Sequence, residues 1–161
     1  MKSCSNMILS FIPALILGIA LQFFLIKAEA IDAPEKAAFE FLSMYYKVDP
    51  NMEQRLCKAE VMDGEINKVQ EYVKSIHEEA KARGYSPNYM TYTLFHAEKY
   101  RINQDDSHVE VKIEARKRRF IRSPYPYVAG LFGLGKMEKI EHELKVVKED
   151  GKWKVCEFNL L

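Results

Sequence analysis

The chain has 161 residues, of which 48% are hydrophobic and 29% are charged, a balance typical of one globular domain. Its 24 basic and 23 acidic residues nearly cancel, and 22 of each remain after residue 30. A neutral domain of this kind argues against nucleic acid as a partner.

The first thirty residues differ in composition from the rest. Residues 8–26 carry no charge and have about the length that crosses a hydrocarbon core. Lys2 precedes this run, so the N-terminus is expected in the cytoplasm and the rest of the chain outside the cytosol. The small-x-small pattern at 28–30 leaves two outcomes open, an uncleaved inner-membrane anchor facing the periplasm or a signal peptide cleaved after Ala30. Residues 1–30 are thus an export element and 31–161 the exported domain.

Three helices are predicted at the start of that domain. The first covers about 33–47, with Asp32 in its capping position and apolar residues at helical spacing. A short second helix begins with Asp49 as its N-cap. The third has Asp63 as its N-cap and ends at Gly84.

From Tyr89 the apolar period changes from 3.6 to 2, which predicts strands. The first strand runs to a polar turn at 103–107. The second has one apolar face, formed by Val109, Val111, Ile113 and Ala115. A connection rich in proline and glycine follows at 121–135.

The chain ends in a predicted hairpin around Asp150-Gly151, a pair typical of a two-residue type I′ turn. Residue numbers that sum to 301 then face each other across the hairpin. The predicted pairs are Val146 with Val155, Lys148 with Trp153, and Leu144 with Glu157.

Three helices followed by four strands predict an α+β fold, with the helices packed in the concave face of a curved antiparallel sheet and a hydrophobic N-terminal helix before them. The segments "PEKAAFEFLSMYY" and "KVVKEDGKWKVCEF" and the alternating strand at 107–120 resemble the nuclear-transport-factor-2-like, or cystatin-like, superfamily over about 31–161. The resemblance, to a small exported or membrane-anchored bacterial member, implies a cone-shaped module. The superfamily includes isomerases, dehydratases, transport adaptors and scaffold domains, so the resemblance assigns no function.

Strand parity supplies candidates for chemistry in the cone. His96 and Glu98 share parity with the apolar side of their strand, and so does His142 on a later one. An imidazole beside a carboxylate in a dry pocket is what proton abstraction next to a carbonyl requires. Alternatively, these groups lie at strand ends and are solvated singly. The predicted pocket lining is Tyr92, Leu94, His96, Trp153 and Glu157. No cofactor or metal is predicted, since no two-histidine motif has a ligand spacing.

A basic segment, "RKRRFIR" at 116–122, runs into the aromatic connection at 121–135. Such a surface seats on anionic lipid, docks a protein partner or a second copy, or is a solvated strand end. The candidate residues are Arg116, Arg118, Arg119, Tyr125, Tyr127 and Phe132.

The two cysteines of the exported part are Cys57 and Cys156. Cys156 is expected to point away from the hairpin's apolar side, whereas Cys57 is expected on a helix at that side. Two separate thiols are therefore predicted, with a disulfide in an oxidising compartment as the alternative.

The first functional hypothesis is a non-catalytic binding or scaffold domain, tethered through 8–26 or exported, for a protein partner or a small apolar ligand. Self-association through the sheet or the 121–135 loop belongs to this hypothesis. The second is an isomerase or lyase with a histidine base, and the third is a structural domain that contacts lipid. A tether favours the first and third, because a soluble metabolic enzyme gains little from an anchor.

Overall fold

The computed structural model describes residues 15–22, 32–86, 91–105, 108–119 and 137–160. The chain divides into two compact units, Met1–Asp32 and Ala33–Leu161. In the first unit, residues 15–22 are helical and exposed. Within the described ranges, no helix has both the length and the apolar character needed to span a membrane. The predicted anchor at 8–26 and the cleavage position after Ala30 lie partly or wholly outside these ranges and stay predictions.

The helices of the second unit precede its large sheet, in the order predicted. They are α1 (Pro34–Lys47), a 3-10 helix (Pro50–Arg55), α2 (Lys58–Val61) and α3 (Lys68–Ala82). Between α2 and α3 lies a small hairpin of two strands, β1 (Met62–Asp63) and β2 (Ile66–Asn67).

The starts of the first two helical segments agree only in part with the prediction. Ala33, not Asp32, occupies the N-cap position of α1, so the predicted capping role of Asp32 is wrong. Asp49 caps the 3-10 helix as predicted, since its carboxylate accepts a hydrogen bond from the backbone N–H of Asn51 at 2.9 Å.

The third helix begins later than predicted. Gly64, with a φ of 62°, turns the chain into the β1–β2 hairpin, so Asp63 lies in a strand. Asn67 is the N-cap instead, and its side chain accepts the N–H of Gln70 at 3.0 Å. Gly84 follows the helix with a φ of 72°, which confirms the predicted stop.

Four antiparallel strands form the main sheet in the order β3-β4-β5-β6. They are β3 (Tyr92–Gln104), β4 (His108–Arg119), β5 (Glu138–Glu149) and β6 (Lys152–Cys156). Helices packed against a four-stranded antiparallel sheet confirm the predicted α+β class.

The register of the last three strands confirms most of the pairing read from the sequence. Val109, Val111, Ile113 and Ala115 are at most 2% exposed. Positive φ values at Asp150 and Gly151 close the β5–β6 turn. Two predicted pairs are present, Val146 with Val155 and Lys148 with Trp153. The third, Leu144 with Glu157, is absent because β6 ends at Cys156 and Glu157 takes a φ of 58°.

The core lies between the helices and one face of this sheet, which we call the inner face. α1 contributes Phe41 and Leu42, both fully buried, and Val69 comes from α3. Against them pack the apolar residues of β4, β5 and β6. One contiguous core of this kind is what a single small domain needs for stability.

Strand β3 departs from regular pairing at two places, between Phe95 and Glu98 and between Arg101 and Asn103. At the first, His96 and Ala97 together oppose one residue of β4, and His96 has a φ of 49°. An extra residue shifts every later side chain to the other face of a strand.

A disulfide joins Cys57 to Cys156, with the Cα atoms 5.2 Å apart. The prediction of two separate thiols is wrong, because it placed Cys57 within a helix. Cys57 instead has extended backbone at the start of α2, and its N–H donates to the carbonyl of Val155 at 2.9 Å. Leu56 pairs with Val155 in a parallel bridge, so this segment lies beside the end of β6.

Candidate functional site

Polar side chains occupy the inner face at the end where β4 finishes and β5 begins. The alternation that buries Ala115 continues to Lys117 and Arg119, which are half-buried. We call the group formed there the inner polar cluster. Its members are Tyr46 from α1, Tyr92 from β3, Lys117 and Arg119 from β4, and His142 from β5.

A hydrogen bond between Tyr46 and His142 lies at the centre of the cluster. The Tyr46 hydroxyl is 2.8 Å from Nε2 of His142. Burial lowers the pKa of His142, and the nearby Lys117 cation lowers it further. Burial raises the pKa of Tyr46 to about 12. Both groups are therefore neutral at neutral pH.

The cations of the cluster lie against its aromatic rings. Nζ of Lys117 is 5.1 Å from the ring centroid of Tyr92 and 5.7 Å from that of Tyr46. It also forms an ion pair with Glu138 at 3.1 Å. The Arg119 guanidinium donates to the Tyr92 hydroxyl at 3.3 Å and lies 5.7 Å from its ring centroid. The rings thereby hold two positive charges on the inner face.

An aromatic wall closes the helix side of the cluster. Phe158, which follows β6, packs edge-on against Phe41 and Tyr45, with ring centroids 4.9 and 5.1 Å apart. Tyr45 stacks on Tyr72 at 5.0 Å. Phe158 also lies 6.4 Å from the His142 ring, so the C-terminal segment is part of the surroundings of His142.

The predicted convergence of His96, Glu98 and His142 does not occur. The bulge at His96 turns Glu98 to the outer face, opposite Glu114 of β4. His96 is exposed, and both residues line a depression of about 460 Å³ on that outer face, with Lys139. The bulge inverts the strand parity on which the predicted shared pocket depended. Glu98 and His142 therefore lie on opposite faces of the sheet.

The predicted pocket lining separates into two parts. Tyr92 and Leu94 lie on the inner face, because they precede the bulge. Trp153 pairs with β5 six residues beyond His142, which is roughly 20 Å along a strand. Glu157 is exposed and forms an ion pair with Lys145. The structure therefore brings two of the five predicted lining residues to the cluster.

The basic residues of the predicted partner or membrane surface do not share one face. Arg116 and Arg118 point to the outer face, where the Arg118 guanidinium lies 5.0 Å from the Phe95 ring centroid. Arg119 points inward. The aromatic members, Tyr125, Tyr127 and Phe132, and the whole 121–135 loop lie outside the described residues.

Sequence reasoning missed Tyr46 and Lys117. Tyr46 belongs to "MYYK" at the end of α1, where two adjacent tyrosines reach different surroundings. Lys117 has the parity of Ile113 and Ala115, so the pattern already placed a cation on the buried side of β4. A charged residue at a position where the strand pattern expects an apolar one could therefore have indicated the cluster.

The described residues form a further concave surface on the helical side of the domain. A groove of about 520 Å³ runs along α3, lined by Val73, His77 and Tyr85 with charges of both signs at its rim. Within the described ranges, no three His, Cys, Asp or Glu side chains are arranged to hold a metal ion.

The burial of His142 predicts a pH dependence of stability. The unfolded chain takes up a proton near the ordinary histidine pKa of about 6.5, before the folded chain does. The free energy of unfolding should therefore fall as the pH drops from about 8 to about 5, since the unfolded state binds more protons there. Denaturant unfolding of the full chain in detergent micelles at several pH values measures this slope.

His142→Gln should reduce the slope, and His77→Gln on the exposed side of α3 should retain it. Equal slopes for the wild type and His142→Gln would contradict the assignment.

No protein-family model matches the chain, and no curated protein matches it. A similar solved structure is the crystal structure, at 1.70 Å resolution, of an NTF-2-like protein of unknown function from Shewanella oneidensis MR-1. The two share 10% sequence identity with a TM-score of 0.41, over 76% of this chain and 94% of that chain.

Proposed function

We propose that the chain is a non-catalytic binding domain of the cell envelope, which binds a small apolar ligand at the inner polar cluster. Residues 8–26 tether it to the membrane, or cleavage after Ala30 releases it to the periplasm. The observation that carries the proposal is the Tyr46–His142 hydrogen bond, which joins two neutral groups on the inner face.

This arrangement favours binding over proton transfer. A general base needs a lone pair directed at the substrate and commonly a carboxylate that orients it. The Nε2 atom of His142 is hydrogen-bonded to Tyr46, so Nδ1 is the one ring nitrogen left to face a substrate. The carboxylates expected to assist it are elsewhere, because Glu98 points to the outer face and Glu157 is exposed. Hydrogen bonds and ring surfaces position a ligand without requiring such a base.

The Cys57–Cys156 disulfide supports the envelope location. Disulfides form and persist in oxidising compartments such as the periplasm and are rare in the cytosol. This support is independent of the apolar segment at 8–26, which suggested the same compartment from hydropathy.

The test is complementation of a deletion strain with His142→Gln. An amide retains a hydrogen-bonding partner for Tyr46 but cannot take up a proton, so a binding domain should complement as the wild type does. The readout is the growth or envelope-integrity measurement that distinguishes the deletion strain from its parent.

Tyr46→Phe gives the complementary variant, because it removes the hydrogen bond and keeps the ring. Loss of complementation by His142→Gln at wild-type protein levels, with Tyr46→Phe still active, would favour a histidine base and refute the proposal.

A further inference from the structure

The charges of the inner polar cluster are arranged with the cation inside and its carboxylate partner outside. The Lys117 side chain is 23% exposed, whereas that of Glu138 is 63% exposed. Glu138 is therefore well solvated, and its ion pair with Lys117 is the kind that contributes little to stability. The Lys117 ammonium group is thus the less hydrated member of the pair.

Positive potential extends from Lys117 to the centre of the cluster. Besides burial, the Lys117 cation is what holds the pKa of His142 below its ordinary value. Arg119 reaches the same rings from two residues further along β4. Both charged side chains that β4 sends to this end of the inner face are thus cations.

The surroundings of these cations are apolar. Leu94 and Ile140 are half-buried against the core, on the strands that flank Lys117. The rings of Tyr46 and Tyr92 complete the surface beside them. An apolar surface with a few convergent polar groups is typical of a small-molecule site.

We infer that the ligand of the inner polar cluster is a small organic monoanion, an aromatic or aliphatic carboxylate whose apolar body packs on Leu94, Ile140 and the tyrosine rings. Its carboxylate pairs with Lys117 and displaces Glu138 into solvent. This inference rests on the proposed function and adds one carboxylate to the otherwise apolar ligand. A small molecule fits better than a bilayer, because the outward Arg116 and Arg118 face away from this surface.

The test compares two ligands that share a ring system and differ in charge, 2-naphthoate and 2-naphthalenemethanol. The full chain is held in nanodiscs of neutral lipid, and the His142 ring resonances are followed by NMR during each titration. Naphthoate should bind about tenfold more tightly, as one charge-assisted hydrogen bond predicts.

Lys117→Met keeps the apolar stem and removes the charge. This variant should therefore bind the two compounds with about equal affinity. The matched control is Lys112→Met, on the outer face of the same strand, where Lys112 pairs with Glu114 and Glu141. That variant should retain the preference of the wild type.

Three other outcomes of these titrations would contradict the inference in different ways. Equal binding of both compounds to the wild type would overturn the anionic ligand and leave the apolar binding site standing. A His142 response to neither compound would overturn both the ligand class and binding at this cluster. A His142 shift that depends on protein concentration without ligand would identify a second copy as the occupant and refute the inference.

Discussion

Replacing both Cys57 and Cys156 by Ser is expected to remove several kcal/mol from the free energy of unfolding. The two positions are 99 residues apart, so their bond constrains most of the domain in the unfolded state. For a loop of about 100 residues the chain-entropy model gives about 4.7 kcal/mol at most. The bond also holds β6 against the segment before α2, so its loss should loosen Phe158 on the aromatic wall.

Pulse proteolysis of the full chain in a mild detergent measures this loss. Cys4→Ser is the matched control, because the remaining pair is intact in that variant. Dithiothreitol should destabilise the wild type and leave the double variant unchanged. Equal stability of the wild type and the double variant would contradict the stabilising role of the bond.

Phe41→Ala is expected to lower the free energy of unfolding by about 3–5 kcal/mol, the usual range for truncating a buried phenylalanine. The side chain is fully buried, and its ring contacts both Tyr45 and Phe158. The cavity would open beneath the aromatic wall, so the unfolding midpoint and the His142 resonances should change together.

Phe95→Ala is the matched control, because it makes the same truncation on the outer face of the sheet. Phe95 lies on the outer face under Arg118 and is half-buried, so its truncation should have a much smaller effect. Denaturant unfolding of the two variants provides the comparison. A smaller loss for Phe41→Ala than for Phe95→Ala would contradict the placement of the core.

Regular periodicity made part of this fold predictable. The alternation from Val109 to Ala115 fixes which face of β4 is buried, because one face of that strand is apolar and the other is charged. The Asp150-Gly151 pair set the register of the last hairpin for a similar reason, since few residues accept the positive φ that the turn requires. Both inferences depend only on local sequence.

The failures arose where local sequence does not carry the information. Nothing in the residues around His96 marks it as the extra residue of a bulge, since glycine is absent there, and its positive φ depends on the pairing of β3 with β4. The disulfide was missed because Cys57 meets Cys156 across elements distant in sequence. The Asn67 cap was missed because Asp63 is an equally good capping residue.

The candidate site was predictable in the same partial way. His142 and Tyr92 were assigned to the inner face from their parity, and the structure places them there. Tyr46 could not be paired with His142 in advance, because the contact depends on how α1 crosses the sheet. Lys117 could have been assigned to the inner face, because the preceding residues of β4 establish which parity is buried.

The two irregularities in β3 have a consequence for self-assembly. β3 is the outermost strand of the sheet among the described residues, and a long outer strand offers its backbone as a template for foreign chains. Regular pairing with β4 is limited to short runs such as 92–95 and 98–101. An incoming strand would lose register at each break, so the backbone of β3 disfavours fibril-like growth from this edge of the sheet.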